Sequence, residues 1–253
     1  MKTKVFATIL ICGVLLVTGI SCKGGLATID GMTGEQLLDN VLAASESLDS
    51  CKLYMTSEMQ MMGTSMTVNG YGAIDEDSQA MYMDMQMDMG ELGDATSKIY
   101  IVDEWVYMEI TGMGWVKMEL TEDMWEQQDV TAQQLMVLEN YIDVKVVGRE
   151  QISSTECYRI EVIPDMQALW EWAMGQEDIG ELSFDIDFDE FFEEFTITVW
   201  IATDTFYMVQ SSMDIAMKSL GRMVETITLY DFNEPVSITL PAEAADAVEW
   251  EGW

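Results

Sequence analysis

Residues 80–89 read Ala-Met-Tyr-Met-Asp-Met-Gln-Met-Asp-Met. Met81, Met83, Met85, Met87 and Met89 recur with period two, and Tyr82, Asp84, Gln86 and Asp88 fill the places between. Successive side chains on a strand point to opposite faces, so the run predicts a β-strand with one methionine face and one polar face. A helix would scatter the five methionines around its circumference. Residues 53–62 repeat the pattern, with Leu53, Met55, Met59 and Met61 set against Tyr54, Thr56, Glu58 and Gln60. Residues 65–74 bring Met66, Val68 and Ile74 to a matching face. Gly63-Thr64 predicts the first turn, and the polar cluster at 75–78 predicts the second. Asn69-Gly70 is a competing hairpin turn, rejected because its second arm would have to run through that polar cluster.

The alternation continues along the chain. Strands are predicted at 98–102, 105–110 and 115–120, the last two carrying Val106, Met108 and Ile110, then Val116, Met118 and Leu120. A hairpin follows at 141–150 and 156–163, ended by Pro164-Asp165. Four closing strands are expected at 196–201, 206–217, 223–232 and 236–240. Their apolar positions are Ile197, Val199 and Ile201, then Tyr207, Val209, Met213, Ile215 and Met217, then Ile227 and Leu229.

Helical spacing shows in three places. Residues 33–48 carry a stripe of Leu37, Leu38, Val41, Leu42 and Leu48 behind Thr33, a suitable cap. Residues 121–140 are polar at first and helical toward their end. Residues 165–195 read as a two-helix insertion lying over the sheet, Leu169, Trp170 and Trp172 in its first helix and Phe184, Phe188, Phe191, Phe192 and Phe195 in its second. The expectation is one α+β domain over 33–241, with about ten to twelve antiparallel strands, helices to one side, and a tail at 242–253.

Half of the 253 residues are hydrophobic, which supports a sizeable core rather than disorder. Acidic residues outnumber basic ones 46 to 11, for a formal net charge of −35. Such a chain repels a phosphate backbone, which argues against nucleic acid as a partner. The charge reads first as a solvated outer surface, with a salt-rich habitat or a cationic partner as alternatives. There is no histidine, so the chain alone can build no Ser-His-Asp triad, Cys-His pair or histidine-ligated metal centre. Two carboxylates could still hydrolyse glycosides, but among 46 acids no pair stands out, and the chain reads as a non-enzyme.

Residues 1–21 form a targeting segment, with Lys2 and Lys4 before an apolar run too short to prefer spanning a bilayer. Gly19-Ile20-Ser21-Cys22 resembles a bacterial lipobox, although Gly19 stands where a large aliphatic residue is usual. Cleavage and acylation at Cys22 would leave the mature chain outside the cytoplasm, anchored to a membrane, with 22–32 as a tether.

Lipobox Cys22, a helix ahead of the first strand and Cys157-Tyr158-Arg159-Ile160-Glu161-Val162 after a short turn together resemble the lipoprotein-carrier superfamily of LolA, LolB and LppX/LprG. Val199-Trp200-Ile201-Ala202-Thr203-Asp204 is similar to that group's exposed strand and tight turn. The stretch Tyr230-Asp231-Phe232-Asn233-Glu234-Pro235-Val236, running on to Pro241, is similar to its closing signature. The resemblance implies a strongly curved antiparallel sheet, an incomplete barrel, with helices on its concave side. It further implies an apolar hollow that holds acyl chains, no cofactor and no catalytic residues.

Three constellations invite sharper readings. Thioethers are soft ligands, so alternating methionines could hold copper(I); here they mix with Leu, Val and Ile and lack interleaved Cys, which leaves plain core packing and an apolar ligand cavity as the stronger choices. Residues 185–190 resemble the start of a calcium loop, but Glu190 stands where the turn glycine belongs and Thr196 where the bidentate acid belongs. Cys51 and Cys157 remain after processing and could form a disulfide in an exported domain.

The expected ligand-lining residues are Met55 and Met59; Met83, Met85 and Met87; Met108 and Met118; and Met213 and Met217. Leu169, Trp170, Phe188, Phe191 and Phe192 form the expected lid. The function expected is an anchored extracytoplasmic lipoprotein that binds or carries a lipid-like ligand. The alternative is a surface lipoprotein with a self-filled core, acting through protein contacts.

Overall fold

The computed structural model describes residues 28–250 apart from 62, 91–92, 113, 122–123, 126–129, 166–167 and 169–191. The expected signal segment, Cys22 and the expected lid residues Leu169, Trp170, Phe188 and Phe191 lie outside the described residues. After the first helix, α1 (Gly34–Ser45), come β1 (Ser50–Met61), β2 (Thr64–Asp75), β3 (Ala80–Asp88), β4 (Asp94–Val102), β5 (Trp105–Ile110) and β6 (Gly114–Glu119). A second helix, α2 (Val130–Glu139), precedes β7 (Tyr141–Ile152) and β8 (Thr155–Pro164). The chain then forms β9 (Phe192–Ala202), β10 (Met208–Met217), β11 (Gly221–Tyr230), a 3-10 helix (Ala242–Asp246) and β12 (Val248–Glu249).

All twelve strands lie in one sheet, in the order β12-β6-β5-β4-β3-β2-β1-β11-β10-β9-β8-β7. The outermost strands are not paired with each other, so the sheet is not closed into a barrel. Every pairing is antiparallel except that of β12 with β6. Two meanders, β1 to β6 and β7 to β11, meet at the β1–β11 ladder, which runs from Lys52 opposite Tyr230 to Met61 opposite Gly221.

α1 forms because Thr33 accepts from the Gln36 N–H while the Gln36 side chain accepts from the Thr33 N–H, which completes a capping box. Its Leu37, Leu38 and Val41 are buried in the main core with Leu53, Ile74, Ile101, Ile160 and Ile201. The helix lies across the strands. At its start, a Cβ on Gly34 would meet Val144 of β7 at 3.0 Å; at its end, Ser45 borders Leu229 of β11. Twelve helical residues rise about 18 Å, and the four strand spacings from β7 to β11 come to about 19 Å. One short helix therefore covers five strands.

Several expectations are corrected. Phe192 and Phe195 begin a strand rather than ending a helix, paired with Met217 and Ile215 of β10. Residues 236–240 carry no ladder bonds: they leave β11, which is already flanked by β1 and β10, and no open edge is within reach. The tail is ordered where the Trp250 N–H donates to the Lys117 carbonyl at 2.8 Å beside β12. Val209 faces away from the main core, because a register shift between Met208 and Gln210 reverses the alternation.

Candidate functional site

The apolar face of the sheet has two unlike halves. Under α1 and α2 the strands present branched aliphatics packed to exclusion: Leu53, Ile74, Ile101, Ile160 and Ile201 have no measurable exposure. A small gap there, about 10 Å3, is lined by Val41, Ser45, Leu48, Leu135, Tyr207, Met208, Leu229 and Phe232. That is room for at most one water, in a lining with almost no polar surface. Among the described residues this half is closely packed by the protein itself.

Farther along β1 and β3 the cover thins, whereas on β10 Ile215, in the same row as Met59 and Met223, stays fully buried. On β3, Met81 and Met83 are buried, whereas Met85 and Met87 are half-buried. On β1 the sequence Leu53, Met55, Ser57, Met59 and Met61 passes from buried to half-buried. Met213 and Met217 of β10 and Met223 of β11 are half-buried as well. Cross-strand pairing brings these residues together: Met59 lies opposite Met223 and Met66, and Met87 opposite Val68. Of the nine methionines expected to line a hollow, Met55 and Met83 belong to the buried core. Met59, Met85, Met87, Met108, Met118, Met213 and Met217 are half-buried on the same face. Met118 stands apart from the others, at the sheet edge opposite Val106, in the row of the buried Ile101 and Met81.

Gly70 gives this floor its shape. A Cβ there would touch Met85 Cγ at 3.4 Å and Met55 Cε and Met83 Sδ at 3.5 Å, so three thioether chains converge over a residue that has no side chain. Glu225 is the departure from the pattern. It faces the apolar side between Ser57 and Met213, and burial raises its pKa above the ordinary glutamate value. The sequence held a signal for it, since β11 alternates Met223, Glu225, Ile227 and Leu229.

Cys51 and Cys157 are not bonded to each other. Cys51 belongs to the main core, whereas Cys157 packs with Trp200, Ala202 and Val209 on the opposite face, four strands away. The expected disulfide is thereby corrected. Burial pushes the Cys157 thiol up to about 11.

The opposite face is polar and aromatic. Tyr82 stacks on Tyr100 with ring centres 5.9 Å apart, Tyr100 meets Trp115 at 5.9 Å, and Tyr54, Tyr71 and Tyr230 are exposed. At the β7–β8 edge, Tyr158 donates to Asp30 at 2.8 Å and Arg149 pairs with the same carboxylate. These bonds hold the Ile29–Met32 turn against the sheet, with the Asp30 pKa lowered first by Tyr158 and then by Arg149. No described helix is long and apolar enough to cross a membrane.

An open, almost wholly antiparallel sheet with one helix laid across five strands is similar to the fold of LprF. LprF from Mycobacterium bovis aligns with a TM-score of 0.51 at 16% identity, over 83% of this chain and 97% of its own. The Mycobacterium tuberculosis lipoprotein LppX aligns at 18% identity over 82% of this chain and 100% of its own, with a TM-score of 0.48. A model for a family of unknown function, DUF6612, matches residues 33–152, the span from the cap of α1 to the end of β7. No curated protein matches the sequence.

Proposed function

We propose that this chain is an extracytoplasmic lipoprotein, anchored through acylated Cys22, whose single domain binds or carries a lipid-like ligand. Residues 1–21 would be the signal peptide, 22–32 the tether, 33–241 the binding domain and 242–253 its tail. The observation that carries the reading is the division of one apolar face into a filled aliphatic half and a half-covered methionine half. Flexible, polarizable thioethers adapt to chains of varied shape. Burial of apolar surface at roughly 25 cal/mol per Å² supplies the drive, with loose specificity. Met59, Met85, Met87, Met108, Met118, Met213 and Met217 would line the site, and Met55 and Met83 would form its floor. Residues 165–191, with Leu169, Trp170, Phe188 and Phe191, would serve as its cover, flanked by Phe192 at the start of β9. No catalytic residue or cofactor enters this reading.

The test is native mass spectrometry of the protein from its own host, without acylation at Cys22. Co-purified lipid that is lost in Met85→Asp plus Met213→Asp, with the circular dichroism spectrum kept, supports the carrier reading. A clean apo mass and no uptake of lipid analogues overturns it. That outcome favours a second reading, an envelope protein acting through protein contacts. The filled space under α1 and the exposed Tyr54, Tyr71 and Tyr230 on the other face favour that alternative.

A further inference from the structure

Glu225 occupies a place where the strand pattern calls for Met, Ile or Leu. Its cross-strand neighbours are Ser57 on β1 and Met213 on β10, and its neighbours along β11 on the same face are Met223 and Ile227. Neither facing strand brings a charge to it: Glu58 and Asp214, next in sequence to those partners, point to the other side, where Asp214 pairs with Arg222. Lys52, Lys98, Lys117, Lys145, Arg149, Arg159 and Arg222 are each engaged in an ion pair with some other carboxylate. Lys218 sits in the β10–β11 turn, four residue pairs along the hairpin, about 13 Å away. Among the described residues Glu225 therefore has no counter-ion. A carboxylate taken partly out of water without a partner costs free energy, and nothing in the packing of β1, β10 and β11 requires an acid there.

We propose that Glu225 is the headgroup anchor of the methionine site and that the ligand class is an amphiphile bearing an ammonium group. The proposal rests on the apolar-ligand reading above and specifies it. An ammonium donates charge-assisted hydrogen bonds to the carboxylate in a medium of low dielectric, where such bonds are strongest. The alkyl chain would run over Met213, Met59 and Met87. An anionic headgroup meets repulsion from Glu225 and from a chain of net charge −35. A hydroxyl headgroup makes only an ordinary hydrogen bond.

The experiment uses the full chain carrying Cys22→Ser, which removes the anchor, and three probes of equal chain length: hexadecylamine, hexadecanol and palmitate. Binding is followed by tryptophan fluorescence below the micellar concentrations. The expected result is that the amine binds at least about tenfold more tightly than the alcohol, with palmitate weakest. In Glu225→Gln, which keeps a hydrogen-bonding side chain but no charge, the amine should fall to the affinity of the alcohol. In Glu225→Met the amine should again lose its advantage, while the alcohol loses at most the one ordinary hydrogen bond. General attraction of a cation to the acidic chain cannot mimic this, because either substitution leaves that net charge almost unchanged. An amine preference that persists in both variants, or alcohol binding with no amine preference in the parent chain, overturns the role of Glu225 and leaves an apolar site standing. Failure of all three probes on the folded parent chain overturns the carrier reading and this proposal with it.

Discussion

Gly221, the first residue of β11, lies so close to the carbonyl oxygen of Gln60 on β1 that a Cβ at 221 would overlap it. Its φ of +139 is a conformation that residues with side chains rarely adopt. The contact sits at the end of the β1–β11 ladder, the seam that joins the two meanders into one sheet. Gly221→Ala must either push the strands apart or distort the turn after β10. A loss of about 3 kcal/mol or more is expected, read as a lowered urea midpoint with little change in slope.

Cys157 tests the correction of the disulfide. Its side chain is fully buried, and its thiol pKa rises from 9.0 to about 11 through desolvation. A group raised in the folded state contributes stability that is complete below its unfolded pKa and lost as pH climbs through the folded one. The alkaline melting curve should therefore fall between pH 9.0 and about 11, and part of that fall should vanish in Cys157→Ala. Intact mass should be the same with and without reductant. A two-proton mass increase on reduction would show that Cys51 and Cys157 are bridged after all.

Glu225 makes a pH prediction of its own. Burial raises its folded pKa above the ordinary 4.5, so the folded state favours the neutral acid. That preference is fully present below the unfolded value and is lost as pH rises through the folded one. Glu225→Gln should then be nearly neutral for stability in acid and stabilising near neutral pH. Glu225→Leu should stabilise by about 1–3 kcal/mol near neutral pH. Paired melts of parent and variant across that range check the sign; a stabilisation that shrinks as pH rises would mean that the carboxylate has an unseen partner.

Most of the sheet was legible because period-two alternation is a strong signal wherever one face is buried. β1, β2 and β3 fall where the methionine pattern placed them, and α1 begins one residue after the cap read at Thr33. The failures have physical causes. The start of β4, at Asp94 to Ser97, is largely polar and precedes the strand expected at 98–102, yet it pairs with Met85 to Asp88 because the β3–β4 hairpin continues past its apolar part. Residues 236–240 alternate correctly, half-buried against exposed, but the interior of a sheet offers them no edge. Val248 and Glu249 show no pattern at all; their place is set by the Trp250 bond and the Lys117–Glu249 ion pair. The alternation alone predicts one apolar face. Its division into filled and half-covered parts depends on where α1 lies across the strands, which no local pattern encodes.

That division is open to a direct test on one strand. Met83 and Met87 point to the same face of β3, two places apart in the alternation, with Met83 only 5% exposed in the core and Met87 half-buried against Val68. If α1 and its neighbours fill only the aliphatic half, deleting each side chain should have very different consequences. Met83→Ala leaves a hole beside Met55 and Gly70 that backbone pairing prevents from closing, and a loss of about 2–5 kcal/mol is expected. Met87→Ala removes a side chain that is itself only half-buried, although it borders the buried Val68, and a smaller loss of about 1 kcal/mol is expected. Chemical denaturation of the two variants measures the ratio. Equal losses would mean that the face is filled along its whole length, and the methionines would then be core from end to end. A large difference leaves the outer methionines available to something other than the fold, because side chains whose removal costs little stability are free to exchange protein contacts for those of a guest.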